Sequence, residues 1–191
     1  MTQSLSDLTQ SLLAAAKFAG ADGADALAVD GTSISIDVLD GKLEHAERSE
    51  GIDIGLRVMV GQRQACVSAS DRRADTITMM AERAVAMARE APEDATVGLA
   101  SPDQLARSLD ASALELVDPA DEPAPAELQE IALRAEAAAL AVQGVSKVDS
   151  SSAGYGRRRV HLSASNGFSA GYTRTDAGLS CVAITGSGGE M

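Results

Sequence analysis

The sequence predicts an α+β fold: antiparallel strand meanders with helices packed on one face of the sheet. Three observations carry this expectation. Ile52, Ile54, Leu56, Val58 and Val60 occupy every second position, so an extended chain turns all five to one side and Asp53, Gly55, Arg57 and Met59 to the other. Asp40-Gly41 and Asn166-Gly167 stand between alternating runs, and both pairs tolerate the positive φ of tight hairpin turns. Stripes of apolar residues at helical spacing lie before and after the strand runs, the arrangement of an α+β chain.

The elements follow in order. Leu5, Leu8, Leu12, Leu13, Ala16 and Ala19 predict a first helix over 5–19, with Ser4 or Ser6 as its cap and Gly20 as its stop. A strand over 23–29 is expected to end at Asp30-Gly31-Thr32, and a second to run over 33–39. The stretch from Leu39 to Ser70 then reads as consecutive strands. Gly61-Gln62-Arg63 breaks the run, and Ala65, Val67 and Ala69 resume the alternation. Ser70-Asp71 offers an N-cap for a second helix over about 72–91, with Ile77, Met80, Ala81, Ala84, Val85 and Ala88 as its stripe and Pro92 at its end. Residues 93–125 read as a linker broken by Gly98 and four prolines, with at most one helical turn near 102–109. A third helix over about 126–143 takes Leu128, Ile131, Ala135, Ala138, Ala139 and Val142 as its stripe and Gly144 as its stop. Strands are expected at 145–151, 157–163, 169–175 and 179–184. The whole reads as a single N-terminal α+β domain over 1–191, with lobes at about 1–92 and 126–191. The shared order of elements in the lobes suggests duplication of a helix-plus-hairpins unit, although the residues themselves hardly match.

Composition narrows the function classes. With 2% aromatic residues and no Trp, the core must be built from Ala, Leu, Val, Ile and Met. Met79, Met80 and Met87 are accordingly read as core filler. Cys66 and Cys181 fall on expected strands outside any Cys-x-x-Cys pair, and are read as small buried hydrophobes. No basic leader precedes the first apolar residues, and no apolar run reaches the ~20 residues needed to span a bilayer, so a cytoplasmic, membrane-free protein is expected. A formal net charge of -12 argues against a nucleic-acid surface. Arg157-Arg158-Arg159 is the one basic cluster, and is read as a solvated strand start or turn.

No reacting constellation emerges. A zinc hydrolase needs at least three convergent ligands, and the two histidines, His45 and His161, fall on different strands in different halves of the chain. Glu44, Glu47 and Glu50 could join His45, but they and Asp53 read as a solvated face. There is no Gly-x-Ser-x-Gly elbow, and no helix follows Gly186-Ser187-Gly188-Gly189 to make a phosphate cradle. No catalytic, cofactor-binding or metal-ligating residue is nominated.

The ordered motifs carry a resemblance. Gly41-Lys42-Leu43-Glu44, the run from Glu50 to Val58, and the run from Ala65 to Asp71 resemble the N-terminal region of the TldD/PmbA family. Tyr155-Gly156, the run from Ser165 to Phe168, Gly171-Tyr172 and the run from Leu179 to Val182 are similar to its PmbA branch, also called TldE. The resemblance implies a partial protein, the N-terminal domain of a chain twice this length or more, with the C-terminal domain absent. It further implies a noncatalytic part in a cytoplasmic metallopeptidase complex that cleaves unfolded peptides, with roles in peptide maturation, antitoxin degradation and modulation of DNA gyrase. Zinc is then expected in a TldD-type partner, through a His-Glu-x-x-x-His motif that no residue here matches. The expected partners are that subunit or a second copy of this chain, and an unfolded peptide received at a strand edge through main-chain hydrogen bonds. The alternative is a regulatory protein–protein interaction module without peptidase activity, acting for example on a topoisomerase subunit.

Overall fold

A computed structural model describes residues 3–186, so the glycine-rich tail from Ser187 onward, with the cradle reading of 186–189, lies outside the described residues. Helix α1 spans Leu5–Ala19 and begins at a reciprocal cap. The Ser4 hydroxyl accepts from the Asp7 backbone N–H at 3.1 Å, and the Asp7 carboxylate accepts from the Ser4 N–H at 3.1 Å. Gly20 ends it in the left-handed region. Strands β1 (Gly23–Leu39), β2 (Lys42–Val60) and β3 (Arg63–Ala69) follow, then helix α2 (Ala74–Glu90), two 3-10 turns at Pro102–Gln104 and Ser112–Leu114, helix α3 (Pro125–Leu140), and strands β4 (Val145–Ala164) and β5 (Ser169–Thr185). This is an α+β fold, as the sequence predicts.

The strands form one five-stranded sheet in the order β3-β2-β1-β4-β5. β1 to β3 are a meander, with Val60 opposite Arg63 across the Gly61-Gln62 turn and Ile54 opposite Ala69 at the far end. β4 joins on the other side of β1 in the antiparallel sense, because the Ser165 N–H donates to the Ala24 carbonyl while Gly154 lies against the Ile34 carbonyl. The β4–β5 hairpin closes at Asn166-Gly167.

Several boundaries differ from expectation. Asp30-Gly31 does not turn, and β1 runs through it. A Cβ on Gly31 would make only ordinary contact there, 3.4 Å from the Arg158 side chain. β4 and β5 likewise run unbroken through Gly154, Gly156 and Gly178. A Cβ on Gly154 would stand 3.2 Å from the Ile34 carbonyl, and one on Gly156 would stand 3.0 Å from the Asp176 carboxylate. α2 begins two residues late, because the Asp71 carboxylate accepts from the Arg73 N–H and holds Arg73 extended. The linker holds two helical turns where one was expected. α3 ends three residues early, at Leu140.

The chain folds as two compact units, the first made of Met1–Asp30, Gly51–Glu115 and Arg159–Thr173 and the second of Gly31–Glu50, Leu116–Arg158 and Arg174–Met191. In the first, Leu8, Leu12 and Ala16 of α1 and the α2 stripe bury Ala24, Ala26 and Ala28 of β1 with Ile54, Leu56 and Val58 of β2. All six stripe residues named for α2 are buried. Met80 is in this core, whereas Met79 and Met87 are exposed, because only Met80 falls on the stripe. In the second unit, Leu128 and Ala132 of α3 pack on Ile34, Ile36 and Val38 of β1 and on Ala153 and Tyr155 of β4. The buried line of α3 is Leu128, Ala132 and Glu136, so Ala138 and Val142 of the expected stripe are exposed. Burying the polar Glu136 hides that line from a hydrophobicity pattern.

Candidate functional site

The two histidines do not converge. His45 is exposed on β2, with Nε2 3.6 Å from the Glu47 carboxylate. Glu44 and Glu47 are exposed beside it, Glu50 pairs with Arg48, and Asp53 accepts from the Ser70 hydroxyl at 2.6 Å. All are solvated, as the sequence predicts, but on both sides of the strand and not on one face. Among the described residues no group of three or more His, Cys, Asp or Glu side chains stands together as a metal site. The donor set present therefore does not fit a catalytic zinc, which needs three protein ligands and an open position.

His161 belongs to a network that no linear motif reveals. Its Nε2 lies 3.1 Å from the Ser169 hydroxyl, which is 3.2 Å from that of Ser163, itself 2.9 Å from that of Thr9. Ser163 and Ser169 sit at equal distances from Asn166 along the hairpin, a symmetry that could have signalled the pairing. Thr9 and Ser163 are fully buried, and the chain of hydroxyls ties α1 to the β4–β5 hairpin. It is not a triad: no described carboxylate orients His161, whose Nδ1 lies over Gly171 at a distance that excludes a Cβ.

The cysteines depart from the buried positions expected of them. Cys66 is exposed and Cys181 half-buried, and neither is paired. The β3 alternation turns Ala65, Val67 and Ala69 inward and leaves Cys66 on the outer side with Ser68. Cys66 stands opposite Arg57 in the β2–β3 ladder. The Arg57 guanidinium binds the Asp25 carboxylate, a hydrogen bond that raises its pKa above the ordinary arginine value. Arg157, Arg158 and Arg159 are exposed as expected, but in the middle of β4, where Arg159 pairs with Asp30.

Several concave surfaces lie within the first unit, and two border its helices. A cleft of about 550 Å³ runs between Gln10, Leu13 and Lys17 of α1, residues 21–24, and the β4–β5 turn at Ser165, Gly167 and Phe168. A groove of about 470 Å³ runs between Val67, Ser68 and Ala69 of β3 and Thr76, Met79, Met80, Glu82 and Arg83 of α2. At the head of α2, hydrogen bonds from Arg73 hold the Asp71 carboxyl well below the usual carboxylate range. Neither surface gathers a nucleophile with a base; what they offer is shape, main-chain edges and scattered charge.

Comparison with known proteins gives these surfaces a context. Residues 24–88 match the family profile described as PmbA/TldA metallopeptidase domain 1, and residues 118–191 match that of the PmbA/TldA metallopeptidase central domain. The chain is 30% identical over 173 residues to the metalloprotease PmbA of Escherichia coli O157:H7, covering 89% of this chain and 37% of that protein. Its fold is similar to that of a proposed modulator of DNA gyrase from Bacteroides thetaiotaomicron, with a TM-score of 0.76, 20% identity, and coverage of 96% of this chain and 42% of the other. TldE from Thermococcus kodakarensis gives a TM-score of 0.71 at 15% identity, covering 95% of this chain and 40% of the other. The chain thus spans about two fifths of the length of these relatives.

Proposed function

This chain belongs to the PmbA/TldD family of metallopeptidases, and from that premise we propose that it is the noncatalytic N-terminal portion of a PmbA/TldE-type subunit. In this reading a TldD-type partner holds the zinc and cuts, within a cytoplasmic heterodimer, and this chain shapes the chamber that admits unfolded peptides. The observation that carries the reading is the joint match of 24–88 and 118–191 to two successive domains of the family on a chain whose described residues assemble no metal-ligand set. No described helix is long and apolar enough to cross a membrane. The physical role follows from the sheet: an exposed strand edge takes an extended peptide by main-chain hydrogen bonds and so accepts many sequences.

Co-purification of the full-length protein with a TldD-type subunit, followed by an assay on an unfolded peptide, tests the reading. Stable association with hydrolysis only by the mixture is expected. Hydrolysis by this chain alone, or no association with any TldD-type subunit, overturns it. Capture of gyrase subunits without peptidase activity would favour a regulatory module instead.

A further inference from the structure

β3 is an edge strand of the sheet, and its outer main chain is unpaired among the described residues. Val60 and Arg63 flank a two-residue turn, so they and every second pair beyond them exchange hydrogen bonds. The main-chain groups of Gln64, Cys66 and Ser68 therefore point away from β2. Alongside this edge runs the groove between β3 and α2, with Val67 and Ala69 on one wall and the 61% exposed Met79 on the other.

The other edges differ in ways that matter. The part of β2 beyond Ile54 has no β3 partner, yet it carries Lys42, Glu44, Glu47, Arg48 and Glu50, the charges that guard an edge against pairing. At Thr175 the outer edge of β5 is covered already, its N–H donating to the Leu116 carbonyl at 2.9 Å. The β3 edge combines unpaired main-chain groups with a groove that can take alternate side chains.

Charge indicates what fits. Arg83 and Glu82 both line the groove without an ion-pair partner among the described residues, and Arg83 supplies a cation that an acidic side chain can meet. We infer that the β3–α2 groove binds an extended peptide as an added strand, with apolar side chains between Val67 and Met79 and an acidic residue against Arg83. The inference rests on the reading above that unfolded peptides are what this protein handles, and it places their grip on the first half of the chain.

Fluorescence anisotropy with the 191-residue chain tests it, using a short labelled peptide of alternating Val and Ser that carries one Glu, and its counterpart with Lys. The Glu peptide should bind about two- to five-fold more tightly, the range of an exposed ion pair. Arg83→Glu should reverse the preference, which a merely structural change would not do. Ser68→Pro removes an outward donor that the β2–β3 ladder does not use, and should abolish binding of both peptides. If Ser68→Pro fails to fold, the Arg83→Glu reversal alone decides. Equal affinity for both peptides in both proteins, or no binding at all, overturns the proposal. So does a concentration-dependent dimer that Ser68→Pro dissolves, since a second copy would then be the occupant. Should the full-length complex cut peptides while this chain binds neither probe, the groove is wrong and the peptidase reading stands. Should the chain bind as expected while no mixture cuts, the groove stands and the peptidase reading falls.

Discussion

Replacing Gly171 with alanine should destabilise the β4–β5 hairpin, while the same change at Gly178, seven residues along the same strand, should not. A Cβ at Gly171 would stand 2.5 Å from the Val160 carbonyl oxygen and 2.7 Å from His161 Nδ1, and the first of these is backbone that no rotamer change can clear. Ordinary contact needs roughly 3.4 Å or more, so the strands must part by nearly an ångström or the hairpin must lose a rung. Overpacking of this kind costs about 2–3 kcal/mol, which for a chain of this size lowers the melting temperature by roughly 4–12 °C. At Gly178 a Cβ meets nothing within 4 Å, and alanine there should be neutral or stabilise by up to about 1 kcal/mol through the unfolded chain. Thermal melts and urea titrations of the two variants beside the parent read the difference directly. Equal shifts for both, or a Gly171→Ala protein as stable as the parent, would refute the packing of β5 on β4 at this point. The His161 ring resonances give a second readout, because they should move in the first variant and stay in place in the second.

Leu56→Ala removes a fully buried side chain from the first unit's core and should cost about 2–5 kcal/mol in a urea titration. Thr9→Val breaks the buried bond to Ser163 and should cost about 1 kcal/mol; a double-mutant cycle with Ser163→Ala should show coupling of that order, and additivity would remove the link between α1 and the hairpin. The Asp71 carboxyl has a lowered pKa in the folded chain because of Arg73. Its stabilising contribution is therefore present above its unfolded pKa, near ~4, and is lost as pH falls through the folded value. An NMR titration should find Asp71 still ionised where a free aspartate is half protonated, and Asp71→Asn should erase that part of the acid dependence. After equilibration with zinc and dialysis, the chain should retain well under one metal ion per molecule by atomic absorption, and a chelator should leave its melting temperature unchanged.

Helices α1 and α2 are the most legible part of the sequence, because their burial is written in a single period, which the buried Glu136 obscures in α3. Every stripe residue named for α2 lies in the core, and α1 starts and stops where Ser4 and Gly20 indicate. Glycine was the ambiguous signal. At Asp40-Gly41 both residues take positive φ, 53° and 70°, and the chain turns. At Asp30-Gly31 the same dipeptide stays extended inside β1, with β4 alongside. Nothing local separates the two uses; the neighbouring strand decides. Glu136 was hidden for a related reason. It is 3% exposed and accepts from the Gly41 N–H at 2.9 Å, so a turn 95 residues away determines its burial. The hydroxyl network and the β3–α2 groove needed the strand order, which no motif encodes.

The outward position of Cys66 makes the protein easy to instrument. Its thiol is exposed on the edge strand and Cys181 is half-buried, so a Cys181→Ser protein can carry one dye at Cys66 without new cysteines being introduced. A fluorophore there would sit beside anything that lays itself along β3 and would change brightness on its arrival. The same exposure asks for reductant during storage, because two molecules meeting through that thiol would cross-link and mimic a native dimer on a sizing column.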